Sequence, residues 1–179
     1  MTGTGSVYGE ALYSLAHEEG LSQVILEQLK TLDSCFAQEP DFIRLLSAPN
    51  LSKTERCQIL DDSFRGKVAP YVLNFLKILT EKGYIRHFSA CVQAYRNCYN
   101  RDNGILPVTA VTAVPLTEDQ KSRLTEKLRK LTCKHIDLTN KLDPAVLGGM
   151  RLDYDGKRMD DTVEHRLNAV RNWLKNTEL

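Results

Sequence analysis

His87, Cys91 and Cys98 follow one another at intervals of four and seven residues, which on one continuous helix would place an imidazole and two thiols on the same side. Those are donors that zinc prefers, but helical geometry separates them. At 1.5 Å of rise per residue the two cysteines lie about 10 Å apart along the axis, with His87 about 6 Å further on. Donors that must stand about 2.0–2.3 Å from one ion cannot be spread so far, and no metal ligand is assigned. Asp153, Asp155, Asp160 and Asp161 crowd a single stretch and bring a divalent cation to mind. Strand alternation turns Asp153 and Asp155 outward, while Asp161, with Glu164, suits the cap of a final helix. Solvated carboxylates are the expectation.

Gly148-Gly149 matches neither G-x-G-x-x-G nor G-x-x-x-x-G-K-[ST], and it leads into a strand, so it is read as a tight turn or a close backbone approach. The five cysteines, Cys35, Cys57, Cys91, Cys98 and Cys133, contain no C-x-x-C and are expected as free thiols in a reducing compartment. Cys133 or Cys98 as the nucleophile of a small transferase is the one enzymatic alternative. The four histidines assemble no Ser/His/Asp or Cys/His arrangement. Asn50-Leu-Ser52 has the form of a glycosylation acceptor without other signs of secretion. The chemistry-bearing residues thus point to a non-enzyme with no catalytic residue and no cofactor.

The chain has 179 residues, 42% of them hydrophobic, and its 24 Lys+Arg balance 23 Asp+Glu at a formal net charge of +1. Near-neutrality argues against a general polyanion binder. A nucleic-acid-binding adaptor is the alternative supported by Lys121, Arg123, Lys127, Arg129, Lys130 and Lys134, but Glu118, Asp119 and Glu126 share that segment and favour a mixed solvated face. No stretch reaches the roughly 18–20 apolar residues of a membrane span. The opening residues lack the basic-then-apolar run of a secretory signal.

The elements that must position these residues change character near Asn103-Gly104. Before it, six helical segments are predicted. Tyr8, Leu12 and Leu15 share a face; Val24, Ile25, Gln28, Leu29 and Leu32 repeat with helical period; Phe42, Leu45 and Leu46 sit on a short helix after Pro40. Ser52 with Glu55 forms a capping box, Pro70 opens the fifth helix, and a long sixth helix from Tyr84 carries Ile85, Phe88, Val92, Tyr95 and Tyr99. After it, residues 105–114 alternate as a strand, with Val108, Ala110, Thr112 and Val114 on one side. Thr117 and Gln120 cap a helix whose Leu124, Leu128 and Leu131 face inward; Ile136 and Leu138 alternate; Asp155-Gly156 signals a hairpin. A last helix buries Val163, Leu167, Val170 and Leu174. The expected fold is α+β: an N-terminal six-helix bundle over residues 1–104 and a small mixed α/β domain over 105–179.

The fifth helix is apolar nearly all round, with Val72, Phe75, Leu76 and Leu79 on one stripe and Tyr71, Leu73 and Ile78 away from it. The first helix adds Val7 and Ala11 beside its stripe. Such helices must be covered on every side, either by the bundle's own core or by a partner's amphipathic helix.

Lys141-Leu-Asp-Pro-Ala-Val-Leu-Gly-Gly-Met-Arg-Leu-Asp-Tyr-Asp-Gly156 resembles the signature of the delta subunits of F-type ATP synthases, whose mitochondrial counterpart is the oligomycin-sensitivity-conferral protein. Its signature residues here are Asp143, Gly148 and Gly149. Tyr8-Gly-Glu-Ala-Leu-Tyr13, Glu81-Lys-Gly-Tyr-Ile85 and residues 160–167 agree, so the resemblance spans essentially the whole chain. The chain departs from that pattern at Val7, where the family usually has a basic residue, at Gly9, where it has alanine, and at Asp161, where glycine is common.

The resemblance implies a non-catalytic stator component that clamps the catalytic head of α and β subunits to the peripheral stalk, so that proton flow drives ATP formation instead of slippage. It implies a groove for the N-terminal helix of an α subunit, carried over to Tyr8, Ala11, Leu12 and Leu15 with Val72, Leu76 and Leu79. It further implies contact with b-type stalk subunits, assigned to Leu167, Val170, Trp173 and Leu174. One copy per complex, no nucleic acid and no direct membrane insertion are expected. The protein would sit on the cytoplasmic face of a bacterial cell membrane, or on an organellar inner membrane if a transit segment had been removed.

Overall fold

A computed structural model describes residues 3–48, 51–146, 148–163 and 165. The chain is α+β and divides into two compact units, Met1–Tyr99 and Asn100–Leu179.

The first unit is helical: α1 (Thr4–Glu18), α2 (Ser22–Gln38), α3 (Pro40–Leu46), α4 (Lys53–Phe64), α5 (Pro70–Glu81) and α6 (Phe88–Asp102). Prolines open α3 and α5, where the missing amide costs nothing. Ser52 and Glu55 cap α4 reciprocally, at 3.2 and 2.8 Å. The regular bundle of six helices does not appear in the expected form. α3 has only seven residues, and α6 runs past the boundary between the units. The sixth helix also starts later than Tyr84. The Tyr84 amide closes the end of α5 by bonding the Leu79 carbonyl at 2.7 Å, and a 3-10 turn, Ile85–His87, intervenes. His87 is therefore not on one straight helix with Cys91 and Cys98.

The core of this unit is aromatic at its centre. Phe36 packs against Phe42, Phe64 and Phe88, with ring centroids 5.7, 6.1 and 5.1 Å away. Tyr95 is fully buried; its hydroxyl donates to the Ser22 carbonyl at 2.9 Å and its ring meets Tyr13 edge-on at 5.3 Å. Burial pushes the Tyr95 phenol upward, so it stays a donor. Two bonds hold α5 against its neighbours: the Ala69 amide donates to Gln28 Oε1 at 2.8 Å, and Lys77 pairs with Asp61 at 2.7 Å.

The second unit holds β1 (Ile105–Thr112), α7 (Glu118–Thr132), β2 (His135–Leu142), β3 (Met150–Tyr154) and β4 (Lys157–Asp160), with sheet order β2-β1-β3-β4. β1 and β2 are parallel and joined through α7, the crossover that parallel neighbours require; β3 and β4 are antiparallel additions. Val108 lies opposite Leu138 and Tyr154, and Ala110 opposite Leu152, so these side chains share the face that packs with Leu128.

One inward assignment on α7 fails. Leu131 is 81% exposed in the last turn of α7, where none of the described residues covers it. Val114 is exposed because β1 ends at Thr112, whose hydroxyl donates to the Val114 carbonyl at 2.7 Å and turns the chain.

Candidate partner-binding groove

α1 and α5 each carry a ridge at positions i, i+3, i+4 and i+7: Tyr8, Ala11, Leu12 and Leu15 on one, Tyr71, Asn74, Phe75 and Ile78 on the other. Together they line a concavity of about 520 Å³. Leu12 and Phe75 are buried and form its floor, the half-buried Tyr8 and Tyr71 belong to it, and Leu15 and Ile78 remain 41% and 46% exposed as its lips. Ala11 is exposed and small, which leaves room above the floor. Seven residues of helix span about 10 Å, so the walls match about two turns of a bound helix. Apart from the Tyr8 and Tyr71 hydroxyls, Asn74 is the one polar side chain among the eight lining residues.

The α1 assignments therefore meet in one place, and the α5 assignments do not. Val72, Leu76 and Leu79 have 0% exposure and point into the core with Ile25, Leu29 and Tyr95. No partner reaches them without opening the unit. The side chains that α5 presents instead are Tyr71, Asn74, Phe75 and Ile78, which share a face at the same helical spacing. That spacing was visible in the sequence, but Asn74 interrupts the apolar pattern and Val72, Leu76 and Leu79 form the stronger stripe.

A second concavity of about 590 Å³ lies over Phe36, Phe42, Leu45 and Phe64, with Glu39 and Asp41 among its lining residues. Its floor is the aromatic core cluster, and it lacks the paired four-residue ridges.

The signature residues do local work in the second unit. The Asp143 amide donates to the Thr112 carbonyl at 3.0 Å, continuing β1 pairing beyond β2, and the 3-10 turn Pro144–Val146 buries Val146. The Gly148 carbonyl accepts from the Val163 amide at 3.0 Å, and the Met150 carbonyl from the Asp161 amide at 3.1 Å. Gly149 has φ +80°, and a Cβ there would collide with the Asp161 carbonyl oxygen and stand 3.1 Å from Thr162 Cα. The glycine pair thus admits residues 161–163 against the start of β3.

Thr162 makes a capping contact here, while the expected cap of Asp161 with Glu164 falls on a residue outside the described ones. Thr162 Oγ1 accepts from the His165 amide at 3.1 Å while its hydroxyl donates to Asp160 Oδ1 at 2.6 Å. Val163, expected inside, is 43% exposed. Leu167, Val170, Trp173 and Leu174 lie outside the described residues.

The remaining chemistry is ordinary. Cys98 is buried, burial raises the Cys91 thiol to about 11, and Cys133 is exposed at the left-handed end of α7. On α7, Lys121, Arg123 and Lys130 pair with Glu118, Asp119 and Glu126 at 2.7, 3.1 and 2.9 Å, a mixed solvated face. Asp153 bridges Arg158 at 2.9 Å and Arg151 at 3.3 Å, and the Arg158 hydrogen bond foremost holds its carboxyl below the usual range. Among the described residues no three His, Cys, Asp or Glu side chains converge as a metal site, and no helix is long and apolar enough to cross a membrane.

The family described as ATP synthase delta (OSCP) subunit matches residues 5–174, and the chain belongs to it. It is 32% identical over 167 residues to the ATP synthase subunit delta of Alkaliphilus oremlandii, covering 93% of each chain. It is 29% identical over 164 residues to that of Clostridium kluyveri, covering 92% of this chain and 91% of that one. Its fold is similar to that of a chain in the mitochondrial ATP synthase hexamer of Toxoplasma gondii, with a TM-score of 0.77, 16% identity, and coverage of 96% of this chain and 97% of that one.

Proposed function

We propose that this protein is a non-catalytic stator component of an F-type ATP synthase, linking the catalytic head to the peripheral stalk so that shaft rotation is resisted and proton flow is coupled to ATP formation. The family match supports the role. The observation that carries the mechanism is the pair of matched ridges on α1 and α5 around an apolar groove. Its length and lining suit an amphipathic helix with apolar anchors at i, i+3, i+4 and i+7, and the occupant we assign is the N-terminal helix of an α subunit. The second part of the chain, residues 105–179, would take the b-type stalk subunits. The complex would hold one copy, peripheral to the cytoplasmic face of a bacterial membrane or to an organellar inner membrane.

Two attachments at about micromolar strength, each worth about 8 kcal/mol, suffice when linked, because the second closure is intramolecular. The test is reconstitution. Membrane particles stripped of this subunit should lose coupled ATP synthesis and regain it on adding the purified chain, and a pull-down from membrane extract should bring α and b subunits. Full synthesis by the stripped particles would sink the proposal.

A further inference from the structure

We infer that Gly9 sets the shape of the α1/α5 groove, and hence which helix it accepts, by letting α1 sink against the backbone of α6; this rests on reading the groove as a helix-binding site. A Cβ on Gly9 would collide with the Cys91 carbonyl oxygen and stand 2.9 Å from Ala94 Cβ. One turn earlier, a Cβ on Gly5 would stand 3.0 Å from Ala90 Cβ and 3.4 Å from the His87 carbonyl oxygen. Both glycines are buried. The obstacle at Gly9 is main chain, which no rotamer change can clear, so any side chain there must move α1 itself.

The two groove walls are held by different parts of the unit. α5 is fixed through Gln28 on α2 and Asp61 on α4. α1 is seated on α6 through Gly9 and Gly5, with Tyr13 behind it on Tyr95. Around α1, Leu12 lies about 60° and Tyr8 about 100° from Gly9, so lifting α1 from its trough carries both wall residues with it. The α5 wall does not follow. The floor between Leu12 and Phe75 opens, and the ridges lose their match.

The experiment uses the full chain with Gly9→Ala, Gly5→Ala and, as control, Glu10→Ala, an exposed residue on the side of α1 away from the groove. NMR reads the seating through contacts between the Tyr8 and Tyr84 rings, whose centroids lie 5.9 Å apart, and through α6 amide shifts. Calorimetry reads binding of a synthetic peptide comprising the N-terminal segment of the same enzyme's α subunit. Gly9→Ala should break the ring contacts and weaken the peptide by about tenfold or more, with Gly5→Ala intermediate and Glu10→Ala unchanged. If Gly9→Ala unfolds, Gly5→Ala carries the test with the same readouts. Unmoved α6 shifts, or a displaced α1 with undiminished affinity, overturn the inference. A wild-type chain that ignores the peptide overturns the helix-binding reading itself, before any substitution is made.

Discussion

The Gln28 side chain accepts the Ala69 amide hydrogen at 2.8 Å across 41 residues of sequence. This bond satisfies the amide at the cap position of α5 and fixes where that helix begins against α2. Gln28→Ala should cost about 1–2 kcal/mol in denaturant unfolding, the range for stranding a partly buried amide. Gln28→Glu, which keeps an acceptor, should recover most of it. Equal stability in all three chains would show that α5 does not depend on this contact.

Ile78 and Leu76 sit two residues apart on α5 and should behave oppositely. Ile78→Asp places charge on an exposed lip, so the helical circular dichroism should persist while affinity for the α-subunit peptide falls about tenfold or more. Leu76→Asp puts a carboxylate into a site with 0% exposure and should cost about 3 kcal/mol or more, abolishing binding through unfolding. A folded Leu76→Asp chain would contradict the assignment of that side chain to the core.

Asn140 ties three parts of the second unit together: its Oδ1 accepts from the Leu116 amide at 3.0 Å, and its Nδ2 donates to the Ala110 carbonyl and the Thr112 hydroxyl, each at 2.9 Å. Asn140→Ala should cost about 2–3 kcal/mol and expose the Leu116 amide to hydrogen exchange. Exchange at Leu116 as slow as in the parent would count against this role.

Hydrogen bonds from the Thr162 hydroxyl, then from its amide, hold the Asp160 carboxyl below its ordinary value of 3.8. A carboxylate with a lowered folded-state pKa contributes stability above the unfolded value, and that contribution disappears as pH falls through the folded value. Acidification below about pH 4 should therefore loosen the contact between Asp160 and Thr162, read as a shift of the Thr162 amide resonance. In Thr162→Val the Asp160 midpoint should rise toward the ordinary value; an unmoved midpoint would remove the hydroxyl as its cause.

Local chemistry made several elements legible in advance. The Ser52/Glu55 and Thr117/Gln120 caps are reciprocal bonds across three residues, and the alternation over Leu106, Val108 and Ala110 follows from their shared buried face. The α1 ridge was equally readable, from apolar residues recurring at three and four positions. The side of α5 left for a partner was not. Its strongest stripe, Val72, Phe75, Leu76 and Leu79, is the one that turns inward, and the groove wall falls to the weaker ridge that Asn74 interrupts. The contact at Thr162 was not legible, because the neighbouring Asp160 carboxylate orients the threonine hydroxyl and no spacing announces that pairing.

The outer strands of the four-stranded sheet also bear on how the protein behaves in a crowd of its own copies. β4 is only four residues long and carries Lys157 and Arg158, while β2 exposes His135, Asp137 and Lys141. Short, charged margins discourage strand addition from a second molecule. Newly made chains should therefore stay apart from one another in solution.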